Sequence, residues 1–364
     1  MKKILLIGMT ALMLCGTVNA TSWRVCSNPE AGANFTSVAE AVASNLVFAG
    51  DTLYVEPGHV EYAKLTVNKQ LIIIGPGFLF EDNNINSMNP MPASFTGSQY
   101  GISIDITAVG TKIIGCIISH GVQIKANNVV LEGCRLNGGV DMGRIGSTIR
   151  GCFFNNCNLS SNPYHIATTE SALIENNIIY GAISAYYQNT NCWYNCVFRN
   201  NVVVTSSTGC IFYSLNNCEV YNNIIINTSD GYTTQTVNQI TDTIWNRNKT
   251  IDYYTSCNIH HNIFSSTSNT NFLNSVFNAA VENVLIWNNA NSEEEKYKHI
   301  ANGPAVGAGV NGTTCGAYGH VNGSRAYQPA GIPQYRPYIY DAIIDNTPST
   351  NNTINASFKI KVQQ

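Results

Sequence analysis

Charged side chains are scarce in this chain of 364 residues. Lysine and arginine together number 19 and aspartate and glutamate 22, so charged residues make up 11% of the chain. An average soluble domain carries roughly 25%. This scarcity argues against a basic nucleic-acid-binding surface, an acidic disordered tail and a helical protein with highly charged faces.

Methionine is also rare, whereas asparagine and glycine are abundant. The chain has 6 Met but 48 Asn and 29 Gly. Asn and Gly are unfavourable in helix interiors and tolerate the left-handed backbone of tight turns. Apolar residues still make up 44% of the chain, which is enough for a sizeable core. The composition therefore predicts an all-β repeat protein with many turns.

Long apolar runs are missing except near the N-terminus. Lys2 and Lys3 precede the apolar segment 4–14, and the small residues at 18–20 suit a cleavage site. This order is typical of a secretory signal peptide, and the apolar segment is too short to span a bilayer. We predict that residues 1–20 are a signal peptide and that the protein is exported to the periplasm, the cell surface or the extracellular space. No membrane insertion is expected.

The twelve cysteines lack the spacing of a zinc site. No paired Cys-x-x-Cys arrangement with histidine occurs, so we predict no metal, and nothing in the sequence predicts a cofactor. Export favours disulfides. Residues 21–364 nevertheless hold 11 cysteines, an odd number, so at least one lacks an intramolecular partner.

A six-residue pattern recurs along the chain and is the strongest signal in it. The copies are 113–118, 131–136, 149–154, 174–179, 198–203, 220–225, 259–264 and a last partial copy at 286–289. The step from one copy to the next varies from 18 residues to 39. A fixed unit separated by insertions of variable length is typical of a solenoid.

Two positions of the repeat predict how each coil is built. The third position is Gly, Asn or His, which tolerate left-handed backbone, so we expect a bend between two short strands. If each copy is one coil, like residues stack at about 4.8 Å. The fourth position then forms a ladder in which buried amides bond to one another. Its members are Cys116, Cys134, Cys152, Asn177, Asn201, Asn223, Asn262 and Asn289.

A second cysteine stack lies five residues before the Asn ladder. It consists of Cys196, Cys218 and Cys257. We interpret the stacked cysteines as small buried apolar residues. Disulfides between stacked pairs such as Cys116–Cys134 remain an open alternative, because their expected Cα separation allows a bridge.

The outward positions predict an ion-pair ladder and a covered stripe. The second position holds charges of alternating sign, which we interpret as a structural surface ladder rather than an acid–base pair; they are Glu132, Arg150, Glu175 and Arg199. The fifth position is outward but apolar, with Ile178, Val202, Ile224 and Ile263. An exposed apolar stripe normally has a cover, and the C-terminal segment is the predicted one. The acidic run 293–295 is interpreted as a solvated face.

The segments that flank the repeats complete a resemblance. Before them stand a short helical segment at 35–42, a strand at 50–55, the turn Pro57–Gly58 and the apolar run 71–77. After them come the Gly-rich stretch 307–319, the segment 329–333 and the alternating segment 358–362. The chain resembles the secreted right-handed parallel β-helix proteins of the pectate-lyase-like superfamily, within an uncharacterised subgroup.

The resemblance implies an all-β fold with three parts. After the signal peptide, residues 21–291 would form a right-handed parallel β-helix with an N-terminal capping helix that protects the open sheet edge. Residues 292–364 would form a C-terminal β appendage, a closing segment whose strands pack on the solenoid.

The catalytic motifs of the family are absent. The Asn-Thr-Asp, Asp-Asp, Gly-His-Gly and Arg-Ile-Lys motifs of the polygalacturonase type do not occur, and of the methylesterase motifs only 50–53 is similar. Three weak pairs of catalytic candidates are left. Asp141 with Arg144 resembles the carboxylate and arginine of pectate lyases, while His165 with Glu170 and Asp242 with Arg247 lie in insertions, where catalytic groups often sit.

The insertions between copies are rich in aromatic rings. They enter between the last apolar position of one copy and the start of the next, so we expect them to emerge side by side as one wall. Rings stack on sugar faces, and Tyr and Trp donors bond sugar hydroxyls; packing of the loops is the alternative. The predicted carbohydrate-binding residues are Tyr164, Tyr186, Tyr187, Trp193, Tyr194, Tyr213, Trp245, Tyr253 and Tyr254.

Two functional classes are compatible with this sequence. The first is a secreted β-helix protein that binds a polysaccharide or other glycan, with lyase or hydrolase activity left open. The second is a non-catalytic surface-structural or adhesion protein with no glycan substrate. Neither class has a nucleic-acid partner, and the sequence makes no prediction of oligomeric state.

Overall fold

The structure is a computed structural model. It describes residues 20–58, 60–78, 92–162, 167–185, 192–206, 212–228, 251–265, 272–290, 292–321, 325–331, 337–344 and 356–362. For residues 185, 212, 213, 251–255, 330, 337–344 and 356–362 it gives the backbone alone. Residues 1–19, and with them nearly all of the predicted signal peptide, lie outside the described part.

The fold is all-β and consists mainly of three long sheets in which neighbouring strands run parallel. Successive strands of one coil enter the first, second and third sheet in turn, an arrangement consistent with a parallel β-helix solenoid. Strands are numbered in chain order. The first sheet contains β1 (Ser22–Val25), β2 (Thr52–Val55), β4 (Ile72–Ile74), β7 (Lys112–Ile114), β10 (Val130–Glu132), β14 (Thr148–Arg150), β18 (Leu173–Glu175), β22 (Val197–Arg199), β25 (Glu219–Tyr221) and β28 (Asn258–His260).

The second sheet and the third follow along each coil. The second contains β5 (Ser94–Phe95), β8 (Ile117–Ile118), β11 (Arg135–Leu136), β15 (Phe153–Phe154), β19 (Ile178–Tyr180), β23 (Val202–Thr205), β26 (Ile224–Asn227) and β29 (Ile263–Phe264). The third contains β3 (Leu65–Val67), β6 (Tyr100–Ile104), β9 (Gly121–Ile124), β12 (Val140–Met142), β13 (Arg144–Ile145), β16 (Leu159–Ser161), β17 (Thr169–Glu170), β20 (Ile183–Ala185), β21 (Trp193–Tyr194), β24 (Phe212–Asn216) and β27 (Ile251–Thr255).

Helices are few and short. Helix α1 (Val38–Ala43) begins at Ser37, whose hydroxyl accepts the amide hydrogen of Glu40, and it packs against β2 and β3. Helix α2 (Val281–Val284) follows the last coil, and 3₁₀ turns occur at Pro29–Ala31, Glu295–Tyr297, Val310–Gly312 and Pro329–Gly331. Strands β30 (Pro337–Ile344) and β31 (Ala356–Val362) form an antiparallel pair. Among the described residues no helix is long and apolar enough to cross a membrane.

The predicted bends between the first and second sheet have left-handed backbone in all seven repeat copies that form coils of the solenoid. The φ angle is positive at seven of the eight predicted positions: Gly115, Gly133, Gly151, Asn176, Asn200, Asn222 and His261. A Cβ atom is strained in this conformation, which Gly accepts freely and Asn better than most residues. The bend is therefore the feature that selects Gly, Asn or His in the repeat.

The Asn ladder is buried, and its amides are hydrogen-bonded as predicted. The side-chain oxygen of Asn201 accepts from the backbone N–H and the Nδ2 of Asn177, at 3.1 and 3.0 Å. In the same way the side-chain oxygen of Asn223 accepts from Asn201, and that of Asn262 accepts from Asn223, at 2.9 to 3.0 Å. At the end of the ladder the hydroxyl of Ser275 accepts from the backbone N–H of Asn262, at 3.2 Å. Each amide thus fixes the register of the next coil.

We expect Asn201→Leu to lower the free energy of unfolding by roughly 1–3 kcal/mol, since two buried donors of Asn177 lose their acceptor. Urea unfolding followed by circular dichroism measures this. Asn258→Leu is the matched control, because Asn258 is exposed at the start of β28. Equal unfolding midpoints for the two variants would contradict a stabilising role of the ladder.

The predicted ion pairs form on the outer side of the first sheet. Arg150 Nη2 lies 2.6 Å from Glu132 Oε2, and Arg199 Nη2 lies 2.7 Å from Glu175 Oε2. The prediction of a solvent-exposed ladder is wrong at Glu175, whose side chain is only 4% exposed. That pair is covered, and so it is less screened by solvent than a surface pair.

The C-terminal segment covers the apolar stripe, as predicted. Ile178, Val202, Ile224 and Ile263 are fully buried in an apolar cluster separate from the solenoid interior. The cluster is completed from the C-terminal side by Ala279, Val284, Leu285, Tyr297, Ala305, Cys315, Ala317 and Tyr327. Glu294 belongs to this cover and is 2% exposed, so the interpretation of 293–295 as a solvated face is wrong at that residue. Its carboxylate accepts the hydroxyl hydrogen of Tyr327.

The bend asparagines hold residues 310–319, which we call the strap. Asn176 Nδ2 donates to the carbonyls of Ala317 and Gly319, at 2.9 and 2.7 Å. The side chain of Asn222 accepts from the amide of Val310, at 2.9 Å, and donates to the hydroxyl of Thr313. The residues that make the left-handed bends therefore also bind the cover.

The last predicted copy, 286–289, is not part of the solenoid. These residues follow helix α2 and enter none of the parallel sheets, and Asn289 is exposed. After β29 the described coils continue only as single bridges, from His260 to Leu273 and from Ile263 to Val276. Ser275 takes the ladder position that was assigned to Asn289. A four-residue match carries too little information to specify a coil.

We expect Gly331→Ala to detach the end of the cover, because an added Cβ would lie 2.1 Å from the carbonyl oxygen of Gly133. The expected cost is about 1–3 kcal/mol of stability, together with binding of a dye that reports exposed apolar surface. Gly307→Ala is the control, since Gly307 has a similarly positive φ but open space around its Cα. If both variants lose the same stability, backbone strain rather than the close approach accounts for the loss.

Candidate functional site

A row of polar side chains runs across the outer face of the third sheet. It is formed by one residue from each of six neighbouring strands, and the side chains described on either side of these residues are buried. Paired in register, the row reads Thr66, Ser103, Gln123, Asp141, Ser160 and Ser184. Successive side chains are therefore one strand spacing apart, about 4.8 Å.

Asp141 is the centre of this row. Tyr100 donates its hydroxyl hydrogen to Asp141 Oδ2 at 2.5 Å, and Asn162 Nδ2 donates to the same oxygen at 3.3 Å. Asn162 is fully buried, while Asp141 and Tyr100 are half-buried. The second oxygen, Oδ1, has no hydrogen-bond partner among the described residues. One carboxylate oxygen is thus held in place while the other can accept a hydrogen bond from a ligand.

The neighbouring strands of the row carry further hydrogen-bonding groups. Ser103 donates to Gln123 Oε1 at 3.3 Å, and the hydroxyls of Ser160 and Ser184 lie 2.8 Å apart. Gln123, Ser160 and Ser184 are partly exposed. Together with Asp141 they offer a line of donors and acceptors along the solenoid axis.

Arg144 lies beside the row in an unusual conformation. Its φ angle is +83°, which is rare for a residue with a side chain, and such strain is concentrated at functional sites. Its Nε is buried and has no hydrogen-bond partner within the described part of the chain. The structure does not join Arg144 to Asp141, which bonds to Tyr100 and Asn162 instead. A buried guanidinium nitrogen without an acceptor is rare in folded proteins, so Arg144 is a candidate for binding an anion or another acceptor.

The third sheet forks at β24. Strand β24 pairs with β20 through Ile183 and Phe212, and with β21 through Trp193 and Leu215. The two branches separate from there, and Arg144 begins the branch that contains β13, β17 and β21. Residues 163–166 and 186–191, which stand in sequence between a strand of one branch and a strand of the other, lie outside the described part of the chain.

The aromatic residues predicted to bind sugar fall into three groups. Trp193 is fully buried, packs edge-on against Phe198 and donates its indole N–H to Ser184 O, so it cannot present its ring to a ligand. Tyr194 is partly exposed and is paired in register with Glu170 on the neighbouring strand. The third group cannot be placed: only the backbone is described for Tyr213, Tyr253 and Tyr254, and Tyr164, Tyr186, Tyr187 and Trp245 lie outside the described residues.

The other catalytic candidates are separated by the structure or lie beyond it. Glu170 is partly exposed on β17, while its predicted partner His165 lies outside the described residues, as do Asp242 and Arg247. No group of three or more His, Cys, Asp or Glu side chains that could hold a metal ion occurs among the residues described. Of the predicted catalytic residues, Asp141 is the one that the structure places in a hydrogen-bonded polar cluster.

The repeat analysis missed most of the polar row. Tyr100, Gln123, Asn162, Ser160 and Ser184 were not singled out, because the search was aligned on the bend between the first two sheets. A signal was present: one polar residue stands between apolar neighbours in 122–124 and 140–142, eighteen residues apart. Period-two alternation at the coil spacing would have identified this outward position.

A second polar cluster lies on the first sheet. The Nδ1 atoms of His260 and His261 are 2.8 Å apart, so one ring must donate and the other accept. Tyr221 stacks on His260 with ring centres 5.2 Å apart, and its hydroxyl accepts from Arg199 Nη1. Burial, and then the charge of His261, lower the pKa of His260, while Glu219 acts weakly in the opposite direction. The cluster favours a neutral His260 ring and a structural role.

We expect this pair to make stability fall in mild acid. Because the pKa of His260 is lower in the folded protein than its ordinary value near 6.5, the unfolded chain binds more protons below that pH. Stability is then fully present above about pH 6.5 and is lost progressively as the pH falls toward the lowered folded pKa. Urea unfolding at several pH values should show a smaller loss for His260→Gln.

His320→Gln is the control for this measurement, because His320 is exposed. It should keep the pH dependence of the parent. An identical pH dependence in His260→Gln would show that the histidine pair does not contribute to acid sensitivity.

Comparisons with protein-family models, with curated proteins and with solved structures found no match.

Proposed function

We propose that the protein binds polysaccharide along the polar row of the third sheet. The observation that carries the proposal is Asp141, which is held by Tyr100 and Asn162 with one carboxylate oxygen left to accept. Sugar chains present repeated hydroxyls, and sites that recognise them combine placed polar groups with apolar or aromatic surface. A line of hydrogen-bonding groups at strand spacing matches a repeating ligand better than a small compact one.

Arg144 extends this site toward ligands that carry negative charge. The side chain of Arg144 is partly exposed, so a sugar carboxylate would pair with its guanidinium. Tyr194 and Glu170, on neighbouring strands of the same branch, would form the side of the site. The aromatic residues predicted from the sequence of the insertions would add apolar contacts. We therefore favour an acidic polysaccharide. Cleavage by a lyase or hydrolase step is a further activity to be tested, since Asp141 alone does not define one.

We also propose the finer features that the resemblance implies. The solenoid is right-handed, as connections between parallel strands nearly always are, and α1 caps its N-terminal end. Residues 1–20 act as a signal peptide, so that the protein meets polysaccharide outside the cytoplasm. Long parallel sheets support membership in the pectate-lyase-like superfamily, which we put forward as a proposal.

The test is a panel of neutral and acidic polysaccharides, with affinity measured by calorimetry and product formation by ultraviolet absorbance and reducing ends. We expect Asp141→Asn to weaken binding of the best ligand about tenfold, as loss of a charge-assisted hydrogen bond costs about 1.5 kcal/mol. Arg144→Gln should weaken acidic ligands more than neutral ones.

Glu219→Gln is the matched control, because Glu219 is an exposed strand residue of the first sheet and the charge change is the same. It should bind like the parent. If Asp141→Asn and Arg144→Gln fold normally and also bind like the parent, the polar row is not the site. If no polysaccharide binds the parent, the alternative of a surface-structural or adhesion protein without a glycan substrate is favoured.

A further inference from the structure

The second cysteine stack places its residues on neighbouring coils. The thiol of Cys218 donates to the carbonyls of Trp193 and Asn216, at 3.4 and 3.3 Å. The backbone N–H of Cys218 also lies 3.4 Å from Cys257 Sγ. Cys218 and Cys257 stand side by side immediately before β25 and β28, because the N–H of Asn258 donates to the carbonyl of Cys218 at 2.9 Å.

This placement satisfies the main geometric condition for a disulfide. Neighbouring strands lie about 4.8 Å apart, and bridged cysteines have Cα atoms about 4.4–6.8 Å apart. The same spacing holds for the other stack, Cys116, Cys134 and Cys152. Geometry alone therefore does not distinguish the two stacks.

Access to solvent does distinguish them. Cys116, Cys134 and Cys152 are fully buried, and so is Cys196, whereas Cys257 is partly exposed at the edge of its stack. Thiol–disulfide exchange requires an external disulfide to reach a sulfur. Of the two stacks, the one that ends in Cys257 meets this condition.

We propose that Cys218 and Cys257 form a disulfide when the folded protein meets a disulfide oxidant. The thiolate of Cys257 attacks the external disulfide, which releases one thiol and leaves a mixed disulfide on Cys257. The thiolate of Cys218 then attacks Cys257 Sγ and releases the second thiol. In sum the two cysteines lose two protons and two electrons, and the oxidant is reduced to two thiols.

The order of the two attacks follows from the environment of the thiols. The pKa of Cys218 is raised to about 12, first by its hydrogen bond to Cys196 and also by burial. Cys218 is therefore the slower nucleophile and reacts second, within the protein, where its partner is already in contact. Bridging should accordingly become faster as the pH is raised.

The bridge would link the two successive copies of the repeat that are farthest apart in sequence. Cys218 and Cys257 are 39 residues apart in sequence, and the undescribed segment 229–250 lies between them. A cross-link between the two cysteines closes a loop of this length in the unfolded chain and so reduces its conformational entropy. Export, as proposed above, would expose the protein to the oxidant.

The test incubates the full-length folded protein with oxidised glutathione at pH 8 and pH 9. Remaining thiols are then alkylated under denaturing conditions, and the peptides are mapped by mass spectrometry. We expect a Cys218–Cys257 cross-linked peptide that lacks two hydrogens and forms faster at pH 9. Peptides that contain Cys134 and Cys152 should stay alkylated, and the melting temperature should rise until reductant is added.

Two variants make the result decisive. Cys196→Ser should keep the cross-link, and Cys257→Ser should lose it together with the rise in melting temperature. Alkylated Cys218 and Cys257 in the oxidant-treated parent would overturn the proposal. A Cys196–Cys218 bridge in place of the expected one would also overturn it, and so would a Cys134–Cys152 bridge formed at the same rate.

Discussion

The hydrogen bond from one buried asparagine amide to the next is the interaction on which the rest of the structure depends. Parallel strands in a solenoid could slip by two residues and still bury apolar side chains, because the alternation has a period of two. The ladder removes this freedom, since Asn201 Oδ1 accepts two hydrogens from Asn177 and a shifted coil would leave them unpaired. An unpaired buried amide costs far more than a paired one gains.

A ladder at the fourth position requires a tight bend at the third. Left-handed residues there turn the chain from the first sheet into the second, and the asparagines among them leave an amide on the outside of the turn. Those outer amides bind the strap through carbonyls such as Ala317 O and Gly319 O. The same repeat thus specifies the coil, its register and the attachment of its cover. The cover in turn makes it possible for the outer face of the second sheet to be apolar.

Features that recur at a constant offset from the bend were predictable from the sequence. The ladder, the ion pairs and the covered stripe all lie within a few residues of the left-handed bend in sequence. Insertions elsewhere in a coil therefore do not change their spacing. The burial of Glu175 was not predictable, because Glu132 holds the same position of the repeat and is partly exposed. The burial of Trp193 was missed for a different reason. An aromatic residue that follows an insertion was assigned to the loop, whereas β21 returns it to the core.

The candidate site lies on the third sheet because the sequence of the other two sheets is more restricted. The first sheet is joined to the second through two residues in each of the seven coils that the repeat forms, the bend residue and the ladder residue. The strap covers the second sheet, so extra residues at this junction would break buried hydrogen bonds. Among the described residues of the third sheet no buried asparagine ladder occurs, and the sheet divides into two branches. Outward positions of this sheet are consequently available for polar groups such as Asp141, Gln123 and Ser160. The constraint that stabilises two faces of the solenoid is thus what leaves the third face available to bind a ligand.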